Sequence, residues 1–150
     1  MRDRIGTHHP VRRAAARVAL LAGAAWLLAA PLAAAQGLFT TEQVARGREI
    51  YRKQCAICHR EDLNGRKADG GPALRGTEFI HRWGGQSVGS LVDPARELMP
   101  GEHPGSLARQ AYVDVIAYVL ERNGAQAGKV ELPTDRAKLK DLTIRFSPAH

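Results

Sequence analysis

Small and apolar residues recur at three- and four-residue spacing in the segment after residue 40, a pattern that predicts an amphipathic helix. The run Thr-Thr-Glu-Gln at 40–43 supplies hydroxyl caps and an early negative charge, so we expect the helix to begin there. One face carries Val44, Gly47, Tyr51 and Cys55. Because glycine inside a helix costs up to about 1 kcal/mol relative to alanine, Gly47 indicates that another helix crosses closely at that position.

A second amphipathic pattern lies towards the C-terminus. Ser106 is the predicted N-cap of this helix, and Asn123 and Gly124 mark its predicted end. The apolar face consists of Tyr112, Val115, Ile116, Val119 and Leu120, at positions i, i+3, i+4, i+7 and i+8. We therefore expect this helix to be the one that packs across the first.

The remaining segments carry weaker patterns. Residues 60–75 are rich in Gly, Asp, Asn and Lys, which predicts a surface loop. Short helices are predicted over 77–83 and 87–97, and another begins near Pro-Thr-Asp at 133–135, after which the chain is expected to wrap the surface. The sequence has no internal repeat and no sign of a second domain, so the pattern predicts one small all-α domain.

The N-terminal residues have the features of an export signal. Residues 1–17 contain five arginines against Asp3, an apolar stretch follows over 18–30, and Ala-Ala-Ala at 33–35 resembles a cleavage site. The apolar stretch is shorter than the roughly 18 to 20 residues that a membrane-spanning helix needs, so an uncleaved anchor is the less favoured alternative. We expect residues 1–35 to be removed and the folded part to lie in the periplasm.

Removal of this leader changes what the composition indicates. It leaves residues 36–150 as a single domain, with a core of about 40–124 and a C-terminal tail of 125–150. Five of the 22 basic residues and one of the 15 acidic residues lie in the leader, so the remaining chain has a formal net charge of only +3. This charge does not indicate nucleic acid or a membrane surface as a partner.

Cys55, Cys58 and His59 form the sequence Cys-Ala-Ile-Cys-His, the attachment motif of a c-type haem. Two cysteines three positions apart on a helical turn can bind the vinyl groups of one porphyrin as thioethers, and the next residue places an imidazole beneath the iron. A zinc site is one alternative, but no second Cys-x-x-Cys or paired histidine segment completes it. A redox disulfide is another, although the βαβ pattern usual for that motif is absent from the sequence.

Met99 is the candidate for the sixth ligand of such a haem iron. It lies in Leu-Met-Pro-Gly-Glu-His-Pro-Gly at 98–105, where proline and glycine disfavour a regular helix and favour a loop that can point one side chain at a metal. The alternative is that Met99 fills a gap in the core. His81 and His103 are rival ligands, and His103 lies only four residues from Met99.

Further motifs occur in the segment of about residues 40–124. They are Gly47-x-x-x-Tyr51, Cys-x-x-Cys-His at 55–59, Gly-Pro-Ala-Leu at 71–74, Met99-Pro100 and Val-Ile-Ala-Tyr at 115–118. In this order they resemble the motifs of class I cytochromes c. The resemblance implies an all-α fold in which the N- and C-terminal helices cross over one covalently bound haem c, with Gly47 and Tyr51 in contact with residues 115–118.

The same resemblance implies roles for residues around the haem. The carbonyl oxygen of Pro72 would accept a hydrogen bond from the Nδ1 proton of His59, which fixes the orientation of the ring. Trp83, and either Arg75 or Arg82, resemble groups that lie near the haem propionates.

A narrower set of motifs extends this resemblance. It comprises Phe39-Thr-x-x-Gln43, Phe79-x-x-x-Trp83, Pro-Gly-Ser-Leu at 104–107, Tyr-Val-Asp-Val-Ile-Ala-Tyr at 112–118 and Asn123-Gly124. These motifs resemble cytochrome modules attached to quinoprotein dehydrogenases, which implies a dehydrogenase as donor and an oxidase or another cytochrome as acceptor. The chain departs from the common pattern at Arg60, where a small residue usually follows the haem histidine, and a charge there could tune the potential or the docking surface.

Iron held by the His59 nitrogen and the Met99 thioether has no open position for a substrate, and the sulfur favours the ferrous state. We therefore expect a periplasmic one-electron carrier, or the cytochrome subunit of a periplasmic dehydrogenase, rather than an enzyme. The alternative is a haem enzyme or a sensor of peroxide or diatomic gases, with His81, His103 or Arg82 near an open or labile sixth position. A third interpretation is a structural or assembly protein that carries haem only for stability.

Overall fold

The computed structural model describes residues 37–66, 68 and 70–147, which all lie within the compact unit Ala35–His150. The predicted export signal, residues 1–35, is outside the described residues. In the described part, the helices are α1 (Thr41–Gln54), α2 (Ala56–His59), α3 (Thr77–Trp83), α4 (Val88–Leu98), α5 (Arg109–Arg122) and α6 (Arg136–Asp141). Only isolated β-bridges accompany them there, so the all-α prediction is confirmed. None of the helices in these residues has the length and apolar character needed to cross a membrane.

Three helices begin close to the predicted positions, and each has a side-chain cap. The Thr40 hydroxyl accepts a hydrogen bond from the Gln43 amide at 3.1 Å, and the Ser87 hydroxyl accepts one from the Ser90 amide at 3.1 Å. An oxygen of Asp135 accepts a hydrogen bond from the Lys138 amide at 2.9 Å. Each cap satisfies one of the amide groups that a helix leaves unpaired at its N-terminus, which is why α1, α4 and α6 begin there.

The predicted N-cap of the long C-terminal helix is wrong. Helix α5 begins at Arg109 after Ala108, whose side chain makes no capping hydrogen bond. Ser106 is still part of a turn, because its amide donates to the His103 carbonyl oxygen at 3.2 Å. The loop that begins at Met99 therefore continues up to the start of α5. The end of the helix is as predicted, with Asn123 as the C-cap and Gly124 at a φ of 90°.

Helices α1 and α5 cross at Gly47, as predicted. A methyl group at Gly47 would collide with the backbone carbonyl of Asp114, so only glycine permits this approach. One turn further along, the rings of Tyr51 and Tyr118 pack with centroids 5.3 Å apart and planes tilted by 55°. Such tilted aromatic contacts contribute about 0.5–1.5 kcal/mol beyond the burial of area. The predicted contact between the two helices is confirmed.

A buried carboxylate that the sequence analysis did not predict also joins these helices. The side chain of Asp114 is 3% exposed and accepts hydrogen bonds from Gln43 Nε2 at 3.1 Å, Gln110 Nε2 at 2.7 Å and Arg46 Nε at 2.9 Å. Arg46 also contacts Glu131 at 2.9 Å. The hydrogen bonds to Asp114 and Glu131 raise the pKa of Arg46, so it remains charged. A fully hydrogen-bonded set of donors offsets the cost of burying this charge.

The C-terminal segment 125–147 packs into the domain. Its Leu132, Leu139 and Ile144 are at most 3% exposed and belong to the hydrophobic core. The Leu132 amide donates to Gln43 Oε1 at 2.8 Å, which attaches the segment to the start of α1. The segment returns to the end of α5, because the Ser147 amide donates to the Gly124 carbonyl oxygen at 3.1 Å. It therefore encircles part of the domain and supplies core residues while doing so.

Candidate functional site

The residues of the attachment motif lie at the junction of α1 and α2. Helix α1 ends at Gln54, Cys55 caps it, and α2 runs to His59. The side chain of Cys55 is partly buried, Cys58 is exposed, and the two form no disulfide. Burial, and secondarily the neighbouring Cys58, raise the pKa of the Cys55 thiol to about 11.

His59 is buried and has a fixed ring orientation. It is 5% exposed, and its Nδ1 lies 2.8 Å from the carbonyl oxygen of Pro72. A carbonyl oxygen can only accept, so Nδ1 carries the proton and Nε2 keeps the lone pair that a metal requires. This is the contact that the resemblance to class I cytochromes c implies for Pro72.

The loop that carries Pro72 reaches His59 because of a glycine. A methyl group at Gly71 would collide with the backbone carbonyl of Cys58. The amide of Gly65 donates to the His59 carbonyl oxygen at 3.0 Å, and the amide of Arg66 donates to the Gly71 carbonyl oxygen at 2.9 Å. The loop is thus folded directly against α2, and the position of the Pro72 carbonyl follows from this close approach.

Two side chains from the long helices attach the same loop to the rest of the domain. The Tyr51 hydroxyl donates to the Arg60 carbonyl oxygen at 2.7 Å. Asn123, which is 7% exposed, donates to the Leu74 carbonyl oxygen at 2.9 Å and accepts from the Gly76 amide at 3.0 Å. Neither the Tyr51 nor the Asn123 contact was predicted. A buried tyrosine hydroxyl and a buried amide both need partners, and that requirement is the signal that could have found them.

Arg60 has an unusual backbone conformation, with φ at 64° and ψ at 158°. Glycine adopts this region without steric cost, whereas another residue loses about 1–3 kcal/mol. The position is the one at which the family pattern commonly has a small residue. At Arg60, the hydrogen bond from the Tyr51 hydroxyl to the Arg60 carbonyl oxygen helps hold this conformation.

Met99 lies at the end of α4, at the start of the segment 99–107, which we call the Met99 loop. Its side chain is partly buried, and its peptide bond to Pro100 is cis. Its carbonyl oxygen accepts hydrogen bonds from the Tyr112 hydroxyl at 2.7 Å and from the Gly105 amide at 3.2 Å. The predicted loop is therefore present, while ligation of iron by Met99 stays a prediction.

The predicted propionate contacts lie on α3 and the preceding loop. Trp83 is partly buried, packs on Phe79 with ring centroids 6.3 Å apart, and has the guanidinium of Arg82 5.2 Å from its own ring centroid. Arg75 donates to the Asp62 carbonyl oxygen at 3.4 Å. The roles of Trp83, Arg75 and Arg82 near a propionate stay predictions. The rival ligands His81 and His103 are both exposed.

The donor set fits a c-type haem better than the alternatives. It comprises two thiols three positions apart, an imidazole whose Nε2 is available, and a thioether in a separate loop. Within the described residues, no group of three or more His, Cys, Asp or Glu side chains could hold a metal ion, so the zinc alternative gains no support. Cys55 and Cys58 would attach the porphyrin, His59 would hold the iron, and Met99 would complete the iron coordination.

The fold and this donor set are those of a c-type cytochrome domain. Residues 42–119 match the family described as cytochrome C oxidase, cbb3-type, subunit III, and the chain belongs to that family. The predicted resemblance to class I cytochromes c is therefore confirmed. A domain of this family carries haem c and transfers electrons, so it acts together with redox partner proteins. Cytochrome c domains are typically exported.

The chain is also 32% identical over 103 residues to a protein named thiosulfate dehydrogenase from Stutzerimonas stutzeri (strain A1501). The aligned region covers 65% of this chain and 33% of that protein, so the chain spans about a third of the length of this curated relative. No solved structure matches the chain.

Proposed function

We propose that this chain is a periplasmic one-electron carrier in which a single haem c is attached through Cys55 and Cys58 and held between His59 and Met99. The observation that carries the proposal is the 2.8 Å contact between His59 Nδ1 and the Pro72 carbonyl oxygen. This contact directs the proton to Nδ1 and leaves Nε2 as a metal ligand on a ring that is already oriented.

The chain's own residues account for the behaviour expected of a carrier. When bound, haem c supplies a one-electron couple, and a nitrogen and thioether ligand pair leaves no open position for a substrate. The Pro72 carbonyl restrains the His59 ring, so the ring need not reorient when the iron changes its oxidation state. Burial of His59 limits the access of water to the ligand. The Met99 thioether favours the reduced state because sulfur is a soft donor.

We further propose that the electrons come from a periplasmic dehydrogenase and pass towards a terminal oxidase. The relative named thiosulfate dehydrogenase and the resemblance to cytochrome modules of quinoprotein dehydrogenases both support a dehydrogenase as donor. In this proposal residues 36–150 form the exported domain after removal of residues 1–35, and this chain transfers electrons without itself binding the substrate.

The experiment that tests the ligand set is the visible spectrum of the purified ferric protein. Iron-bound methionine sulfur produces a weak far-red charge-transfer band, which we expect in the wild type and in His103→Ala but not in Met99→Ala. The His103 variant is the matched control because it removes the rival ligand from the same loop. A high-spin ferric spectrum of the wild type, without this band, would overturn the proposal.

The second candidate is a haem enzyme with an open or labile sixth position, favoured by the name of the 32% identical relative. Anaerobic addition of thiosulfate to the purified ferric protein separates the candidates. Reduction of the ferric haem by thiosulfate without any added dehydrogenase would support an enzyme, whereas a carrier is reduced only when a donor protein is present.

A further inference from the structure

Both ends of the Met99 loop are hydrogen-bonded to the same hydroxyl group. The hydroxyl of Tyr112 donates to the Met99 carbonyl oxygen at 2.7 Å and lies 3.4 Å from the amide nitrogen of Leu107, whose proton it accepts. Tyr112 is 3% exposed and lies in the first turn of α5, the helix that packs across α1. The two ends of the loop are therefore attached through one buried side chain to the helix pair.

The other hydrogen bonds of the Met99 loop are local. The Gly105 amide donates to the Met99 carbonyl oxygen, the His103 amide to the Pro100 carbonyl oxygen, and the Ser106 amide to the His103 carbonyl oxygen. Residues 101–106 are exposed. The Met99 amide donates to the Ala95 carbonyl oxygen in α4 at 3.1 Å, and the Tyr112 hydroxyl connects the loop to α5. Turns within a loop preserve its shape but do not fix its position relative to the rest of the domain.

We propose that Tyr112 is a positioning residue for Met99, and that its hydroxyl keeps the Met99 sulfur on the ferric iron when an external ligand competes for that position. The inference rests on the proposed function, because it requires Met99 to be the sixth ligand. A competing ligand can bind only when the loop moves far enough to withdraw the sulfur. Loss of the hydroxyl removes a restraint on that movement, so the competing ligand should bind more tightly.

Imidazole is the probe, and its dissociation constant is measured on the ferric holoprotein by the loss of the far-red band. We expect Tyr112→Phe to bind imidazole about fivefold more tightly than the wild type, the size that loss of one net hydrogen bond predicts. The variant should fold, because the ring remains and the Met99 carbonyl oxygen keeps its bond from Gly105. Tyr118→Phe is the matched control, since Tyr118 lies on the same helix and is also buried.

Each outcome of this titration has a distinct meaning. An affinity of Tyr112→Phe equal to that of the wild type would overturn the inference while leaving the proposed function intact, provided that the wild type shows the band. If the affinity for imidazole increased equally in Tyr112→Phe and Tyr118→Phe, the helix pair would be loosened in general, and the inference would also be overturned. Absence of the band in the wild type would overturn the proposed function, and the inference with it.

Discussion

The two sides on which the chain would meet the haem differ in how they are attached to the domain. On the His59 side, the ring is restrained by Pro72, and the loop over 60–76 is bonded to α1 through Tyr51 and to α5 through Asn123. On the Met99 side, a largely exposed loop is bonded to itself, to Ala95 in α4 and to Tyr112 in α5. Segments with few buried contacts open at low free-energy cost. Of the two proposed iron ligands, we therefore expect Met99 rather than His59 to exchange.

Glycines show the same difference. A methyl group at Gly71, on the His59 side, would collide with the backbone of Cys58, whereas one at Gly101, in the Met99 loop, would meet nothing within 4 Å. One loop is packed against the helix that carries the haem motif, and the other has open space beside it. Substitutions at the two glycines should therefore have very different consequences.

The largest expected effect is that of Gly71→Ala. The added methyl group pushes the loop away from Cys58 and weakens the contact between Pro72 and His59, which we expect to cost about 2–3 kcal/mol in the free energy of unfolding. Gly101→Ala is the matched control and should change it by less than about 0.5 kcal/mol. Denaturant unfolding of the holoproteins measures both values. Equal stability of the two variants would contradict the difference drawn between the loops.

A smaller effect is expected for Tyr51→Phe, which removes the hydroxyl bonded to the Arg60 carbonyl oxygen at 2.7 Å. The variant should lose about 1–1.5 kcal/mol of unfolding free energy, because one hydrogen bond is lost at a strained backbone position. Its affinity for imidazole should equal that of the wild type, since Tyr51 restrains the His59 side. Tighter imidazole binding in Tyr51→Phe would show that the two sides are not independent.

The smallest expected effect concerns the stability of the protein at acid pH. Hydrogen bonds from the Asn64 amide and side chain lower the pKa of Asp62 in the folded protein. A carboxyl group with a lowered pKa adds stability above its unfolded pKa of about 3.9, and this stability is lost as the pH falls through the folded value. As the pH is lowered through the acid range, the urea midpoint of unfolding should therefore fall less steeply in Asp62→Asn than in the wild type. Asn64→Ala, which removes only the side-chain donor, should be intermediate, and a slope unchanged in both variants would refute this account.

Local patterns predicted much of the fold. Thr40, Ser87 and Asp135 begin helices because a short polar side chain can bond to an amide two or three residues later, which depends on neighbours in sequence alone. Gly47 predicted a helix crossing because a glycine inside a helix is destabilising unless another element must approach closely there. Ser106 misled the prediction for α5, because the Met99 loop ends at a hydroxyl on α5 itself. The N-cap position is Ala108, two residues later than predicted.

Residues distant in sequence carry what the patterns did not predict. Asp114 is buried because Gln43, Gln110 and Arg46 converge on it, and two of these donors come from α1, about 70 residues earlier. The sequence predicts only that the end of the chain wraps the surface. In the structure, Leu132, Leu139 and Ile144 are buried and belong to the hydrophobic core.

The sequence alone was enough to predict the chemistry, because the proposed haem attachment depends on the spacing of two cysteines and a histidine within about one helical turn. It also determined most helix starts, for the same reason of short range. Three features become visible in the folded protein: the tautomer and orientation of His59, the attachment of the Met99 loop to Tyr112, and the burial of Asp114. Each of these depends on which groups from distant segments meet, and that arrangement exists only once the helices have packed.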